Sequence, residues 1–291
     1  MKRLIEKANA LTESLPYIKK FYGKTFVIKY GGAAQVKEDL KSSFASDIVL
    51  LNLIGIRTVI VHGGGPRISD TMKRMGKEPV FVHGQRITDE ETMDIVEMVL
   101  GGLINKEIVA LINSHGGKAV GLSGKDGGLI LAKKKMLRKS SSQDDENIDI
   151  GLVGEVEYIC PDLLYALERE GFIPVISPIG AGSRGETFNV NADDVAASVA
   201  ASVKAEKFIL LTDVAGVNNK KGEIISTIHK KEIKKLIDED VVSGGMLPKV
   251  QACKRALDGG VGKAHIVDGR MPHCLLLEIF TDQGIGTEIV E

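Results

Sequence analysis

TFVIKYGGAAQVKEDLKSSFASDIVLLNLIGIRTVIVHGGGPRISDTMKRM, residues 25–75, holds the fold in outline. TFVIKY (25–30) is a short apolar run that ends in glycines, and residues 37–55 carry the apolar spacing of a helix. TVIVHG (58–63) repeats the apolar run with its glycine ending, and a second helical pattern covers about 66–75. Near-continuous apolar strands are those buried on both faces. Strand, helix and strand in succession give the right-handed crossovers of a parallel sheet.

The rhythm continues on both sides of a glycine-rich stretch. Before it come a long helix at 89–113, a strand at 118–122, a helix at 161–170 and the strand FIPVIS at 172–177. After Gly180–Gly185 come a helix at 192–203, the strand KFILLTDV at 207–214, helices at 230–239 and 247–258, and the strand KAHIVD at 263–268. A lobe boundary near residue 183 follows, with lobes 23–183 and 184–291 behind an N-terminal segment 1–22. KKKMLRKSSSQDDENID (133–149) is polar and lies between apolar stretches able to pair as a hairpin, so it reads as a solvated loop tip. No repeat of fixed period marks a solenoid or propeller.

Composition narrows the function. A chain of 291 residues, 43% hydrophobic, can bury a sizeable core. Lys plus Arg total 38 against 39 Asp plus Glu, so no whole-chain basic field exists to attract nucleic acid. Cys160, Cys253 and Cys274 are odd in number and lack C-x-x-C spacing, which argues against disulfides and thiolate zinc and for a reducing cytoplasm. The charged N-terminus is no signal peptide and no run reaches membrane-span length, so a soluble protein that engages no membrane is expected.

Three phosphate-motif lookalikes fail on context. Gly23-Lys24-Thr25 would need glycine at position 18, which is Ile, and Gly124-Lys125 is followed by Asp126. Gly180-x-Gly182-x-x-Gly185 matches the dinucleotide pattern, but it leads into ETFNVNAD instead of directly into a helix, and reads as a connection between lobes. H-E-x-x-H and G-x-S-x-G are absent, so zinc hydrolysis and nucleophile-elbow chemistry lack support.

Five constellations carry chemistry, each also compatible alone with an ordinary turn, cap or surface position. Val27-Ile28-Lys29-Tyr30-Gly31-Gly32 ends a strand in a cation and two glycines whose N–H groups can approach an anion. Ile60-Val61-His62-Gly63-Gly64-Gly65-Pro66 does the same ahead of a helix N-terminus, and His62 reads more readily as a local hydrogen-bonding group than as a base. Arg86, in Gly84-Gln85-Arg86-Ile87-Thr88-Asp89, offers a fork for a carboxylate just before a helix capped by Thr88 or Asp89. Asn189, Asn191 and Asp193 crowd the start of an alanine-rich helix. Thr212-Asp213-Val214-Ala215-Gly216-Val217, with Gly244-Gly245-Met246-Leu247-Pro248-Lys249, could build a second phosphate-facing edge.

Ahead of all these, Leu4, Ala8, Leu11, Leu15 and Ile18 form a helical apolar stripe that needs a covering surface, within its own subunit or on another, and Pro16 interrupts the pattern.

Taken in order, K-Y-G-G, H-G-G-G-P, G-x-R-x-T, N-V-N-A-D, T-D-V-x-G-V and G-G-M-x-x-K resemble the amino-acid kinase family over almost the whole chain, and within it the branch that phosphorylates N-acetyl-L-glutamate in arginine biosynthesis. The resemblance implies an α/β fold, a three-layer αβα sandwich around a mainly parallel sheet of about eight strands. The N-lobe would take the amino-acid substrate and the C-lobe ATP with Mg²⁺. It implies that Lys29 and Lys249 stabilise the transferring phosphoryl group, that Asp193 orients them, and that Gly32 and Gly64 donate N–H groups to it. Gly64, Gly65, Arg86 and Asn189 would bind N-acetyl-L-glutamate, and Thr212, Asp213, Val214 and Val217 the nucleotide, with no protein side chain ligating the metal. Tyr30 stands where relatives often carry Phe or an aliphatic residue, and leaves the charged and glycine positions intact. Aspartate, glutamate, carbamate or UMP as acceptor, or a regulator without catalysis, are the rival readings. Arginine-sensitive members of the branch resemble this chain further. That likeness implies an N-terminal helix joining dimers into a hexamer, a trimer of dimers, and an inhibitory arginine contacting Tyr17, Lys207, His265, Glu278 and Gly284.

Overall fold

In the computed structural model, which describes residues 1–35, 37–138 and 147–291, the apolar runs become strands of one eight-stranded sheet. In chain order these are β1 (Thr25–Tyr30), β2 (Arg57–His62), β3 (Ala119–Ser123), β4 (Ile173–Ser177), β5 (Lys207–Thr212), β6 (Thr227–His229), β7 (Lys263–Asp268) and β8 (Thr287–Val290). Their order across the sheet is β6-β8-β7-β5-β1-β2-β4-β3, and every pairing is parallel except β7 with β8. Strands from before residue 183 occupy one half, strands from after it the other, and β1 meets β5 at the seam.

The helices are α1 (Lys2–Phe21), α2 (Glu38–Leu53), α3 (Gly65–Arg74), α4 (Glu90–Glu97), α5 (Asn105–Ser114), α6 (Asp162–Arg169), α7 (Ala192–Ser202), α8 (Ile233–Asp238), α9 (Met246–Asp258) and α10 (Cys274–Ile279). A π-helical turn, Met98–Ile104, joins α4 to α5. Strand side chains alternate between faces, and both faces are covered. Val27, Val61, Phe208 and Leu210 pack with Val195 and Ala196 of α7 and Val250 of α9, while Phe26, Ile28, Ile209 and Leu211 pack with Phe44 and Ile48 of α2, Ile108 of α5 and Leu275 of α10. Each such side chain, fully buried, contributes about 1.5–3 kcal/mol. The result is the αβα sandwich expected.

Three expectations need correcting. Strands Ile130–Arg138 and Asn147–Ile159 pair antiparallel, so chain read as loop tip is largely hairpin; residues 139–146 of that segment lie outside the described residues. The polar letters mislead because the two strands of this ribbon are joined by exposed ion pairs, Lys133 with Glu155 and Lys134 with Asp149. Gly180–Gly185 is no connection between lobes but the turn between strands Ile179–Ala181 and Thr187–Val190, where Gly182 N–H donates to Glu186 O at 2.7 Å. These four strands close a small ring beside the main sheet. Finally, α1 runs through Pro16 unbroken, with Leu4, Leu11 and Leu15 more than half exposed, so they are not covered by their own subunit. No helix among the described residues is long and apolar enough to cross a membrane.

Candidate active site

β1, β2 and β5 end side by side, and their carboxyl ends deliver the first functional groups. Lys29, next to last in β1, places Nζ 3.0 Å from Asp193 Oδ1. Lys249, in the first turn of α9, places Nζ 3.0 Å from Asp193 Oδ2. Asp193 is fixed in turn by the cap of α7, where Asn191 Oδ1 accepts from Asp193 N–H at 2.9 Å and Asp194 N–H at 3.1 Å. Burial works against ionisation of Asp193, yet the two lysines hold its carboxyl below the usual range. One carboxylate thus clamps two cations and leaves a net positive charge.

The glycine loops lie beside this clamp. Gly32 has φ +64°, a conformation that favours glycine. A Cβ on Gly64 would press on the side-chain ends of Leu100 and Ile104 in the π-helical turn, so glycine lets the loop rest on that turn without displacing them. Together Lys29, Gly32, Gly64, Gly65, Arg86, Asn189 and Asp193 line a cleft of about 320 Å³.

Arg86 closes one wall. It belongs to a short hairpin, Phe81–Val82 with Gln85–Arg86, and its guanidinium lies 4.7 Å from the centre of the Phe81 ring. Nη2 donates to Gly65 O (3.0 Å) and Ser69 Oγ (2.8 Å), and Nη1 to Met72 Sδ (3.1 Å). All these hydrogen-bond partners are neutral, and the residue is only 7% exposed. Asp89 caps the following helix by accepting from Thr92 N–H at 2.8 Å. Asn189 reaches the cleft from the ring of strands, with its Nδ2 3.4 Å from Thr88 Oγ1.

At the end of β5, Thr212 Oγ donates to Asp213 Oδ1 at 3.2 Å, and Asp213 and Val214 are exposed. Val217 is different. Its side chain is in the core and its N–H donates to Thr287 Oγ at 2.9 Å; Thr212 is buried as well, so Asp213 and Val214 are the exposed members of the four. His62 is fully buried and does not line the cleft.

A second pocket, about 690 Å³, opens at the amino edge of the same sheet. It gathers Tyr17 of α1, Lys207 of β5, His265 of β7, Glu278 of α10 and Gly284. Glu278 Oε1 lies 2.6 Å from His265 Nδ1, and Oε2 accepts from Ile285 N–H at 2.7 Å and Gly286 N–H at 3.2 Å. Burial opposes ionisation of Glu278, but His265 and the Ile285 N–H hold its carboxyl below the usual value. Burial pushes Lys207 down to about 8. Tyr17 hydroxyl donates to Asp282.

Sequence reasoning missed Ser69 and Met72, which hold Arg86, and the π-helical turn behind Gly64. No spacing signal marks them, because their partners are far away in the chain.

The model of the amino acid kinase family matches residues 24–268. Acetylglutamate kinase of Syntrophus aciditrophicus is 60% identical over 287 residues, covering 98% of this chain and 97% of the relative. Acetylglutamate kinase of Geotalea daltonii is 58% identical over 290 residues, covering 99% of each. Among solved structures, N-acetylglutamate synthase from Neisseria gonorrhoeae, complexed with coenzyme A and N-acetyl-glutamate, superposes with a TM-score of 0.84 at 26% identity. That alignment covers 98% of this chain but only 63% of the synthase.

Proposed function

The chain belongs to the amino acid kinase family, and from that membership we propose that it transfers the γ-phosphate of ATP to the γ-carboxylate of N-acetyl-L-glutamate, giving ADP and the acyl phosphate. The observation that carries the acceptor is Arg86, a buried guanidinium with only neutral partners, facing the cleft that holds Lys29 and Asp193. An uncompensated buried cation calls for an anion, and its fork matches a carboxylate.

A carboxylate with a pKa near ~4.3 is already ionised at neutral pH, so transfer needs no base. What must be offset is charge gathering between two anions. In this reading Lys29 and Lys249 meet the oxygens of the moving phosphoryl group, Asp193 sets their spacing, and Gly32 and Gly64 donate N–H groups. Arg86 takes the acceptor's α-carboxylate, with Gly64, Gly65 and Asn189 beside it, while the turn of Thr212, Asp213, Val214 and Val217 borders the nucleotide. Both oxygens of Asp193 are committed to lysines, so Mg²⁺ would be held by phosphate oxygens, where it offsets their charge. ADP release over a panel of acceptors tests the assignment. N-acetyl-L-glutamate should be the preferred acceptor, and turnover of aspartate or free glutamate in its place would sink it.

The second pocket supports a finer reading, in which arginine inhibits. Glu278 and Asp282 offer carboxylates to a guanidinium, and Lys207 a cation to a carboxylate. The exposed stripe of α1 supports assembly of dimers into a hexamer through that helix. ATP dependence and three free cysteines fit the cytoplasm.

A further inference from the structure

Asn105 stands at the joint between the π-helical turn and α5 and is fully buried. Its Nδ2 lies 2.9 Å from Val175 O, 3.4 Å from Leu122 O and 3.2 Å from His62 Nε2, while its Oδ1 lies 3.1 Å from Lys106 Nζ. The ammonium at Oδ1 and the carbonyl of Val175 at Nδ2 fix which way the amide points; its two protons go to the two nearest neighbours, Val175 O and His62 Nε2, while Leu122 O accepts from Ser177 Oγ at 3.2 Å. Nε2 of His62 must therefore be a bare acceptor. The single ring proton is on Nδ1, which donates to Gly63 O at 3.0 Å. Burial pushes His62 down to about 4, in keeping with one neutral form throughout the physiological range.

The next link is covalent. Gly63 C=O and Gly64 N–H belong to one peptide plane and, in the trans form, point in opposite directions. Holding the carbonyl against the His62 ring therefore turns the Gly64 N–H away from the ring.

Two further features serve the same placement. In an α-helix, five residues carry a side chain about 140° round the axis, so Leu100 and Asn105 would face different ways. Here Asn105 N–H bonds to Leu100 O across the π-helical turn, and this longer loop brings both side chains to the glycine loop: Leu100 beneath Gly64, Asn105 onto His62. Gly121 of β3 leaves the necessary room, since a Cβ there would collide with Asn105 Oδ1.

We propose that Asn105 is a positioning residue for phosphoryl transfer: it fixes the His62 tautomer, whose Nδ1–H holds the Gly63 carbonyl and so aims the Gly64 N–H into the cleft. This rests on the role given above to Gly64 as a donor to the phosphoryl group.

The test combines nitrogen NMR of the full chain labelled with ¹⁵N-histidine and steady-state kinetics. His62, identified by the signal lost in His62→Gln, should carry its proton on Nδ1 with Nε2 bare, unchanged between about pH 5.5 and 8. Asn105→Leu should mix the tautomers and lower kcat by roughly tenfold to a hundredfold, the scale of a small misplacement, with both KM values within about threefold of wild type. Gly121→Ala, which displaces Asn105 without altering it, should shift both readouts the same way and serves if Asn105→Leu does not fold. A wild-type ring protonated on Nε2, a folded variant with wild-type kcat, or a kcat loss with the tautomer unchanged would each overturn the proposal. The tautomer is read without substrate, so wild-type protein inactive toward N-acetyl-L-glutamate would sink the acceptor assignment and leave this test standing.

Discussion

Asp193 governs the electrostatics of the cleft, because each of its oxygens holds one lysine. Lys29→Ala or Lys249→Ala should lower kcat by about 100-fold or more, the scale of losing one preorganised donor. Wild-type turnover in either variant, measured as ADP release, would remove the role assigned to that lysine. Arg86→Lys keeps the charge but loses the fork held by Gly65 and Ser69, so the KM for N-acetyl-L-glutamate should rise far more than that for ATP. Equal rises would move Arg86 out of the acceptor pocket. Two buried groups set opposite pH slopes. His62, lowered to about 4 by burial, contributes stability that is complete above about pH 6.5 and is lost as pH falls toward 4. Asp47, raised to about 6 by burial against the opposing hydrogen bond from His273, does the reverse: its ionised form is a burden above pH 6 that lifts on acidification. Each is worth roughly 3 kcal/mol, so in wild type they largely offset. Denaturant melts from pH 4 to 7 should show Asp47→Asn losing stability faster than wild type on acidification, and His62→Gln losing it more slowly. Identical slopes in all three would refute this. Lys29, Arg86, Asn189, Asp193 and Lys249 were legible in the sequence because they sit at strand ends, glycine loops and helix caps. Asn105 and Met72 were not, because an interior side chain shows its partner only after folding.

Elements show the same division. Strands with both faces buried and helices of two or more turns are legible from their apolar spacing to within a residue or two. β6, β8 and α10, at three, four and six residues, are too short to display a period. The π-helical turn was read as part of one continuous helix from 89 to 113, since one longer hydrogen-bonded loop leaves no mark on composition. The apolar stripe of α1 is legible from its spacing, its exposure is not, and its last turn lines the second pocket through Tyr17, Lys20 and Phe21. Removing residues 1–20 takes away both the stripe and Tyr17. The truncated protein should remain an active dimer with little inhibition by arginine. Light scattering and an arginine titration would check this, and a truncated hexamer with full inhibition would rule it out. Glu278→Ala spares α1, so it should keep the full assembly while arginine binding weakens.

At the scale of the molecule, the sheet carries the candidate active cleft on its carboxyl edge and the second pocket on its amino edge. Lys207 opens and Thr212 closes the same strand, β5, whose six residues span about 20 Å. The two pockets share no lining residue. For a lineage under selection this separation matters, because a substitution at one edge can be tried without testing the chemistry at the other. The lining of the amino-edge pocket could therefore be lost, regained or retuned to a new ligand over generations while the residues of the cleft stayed unchanged.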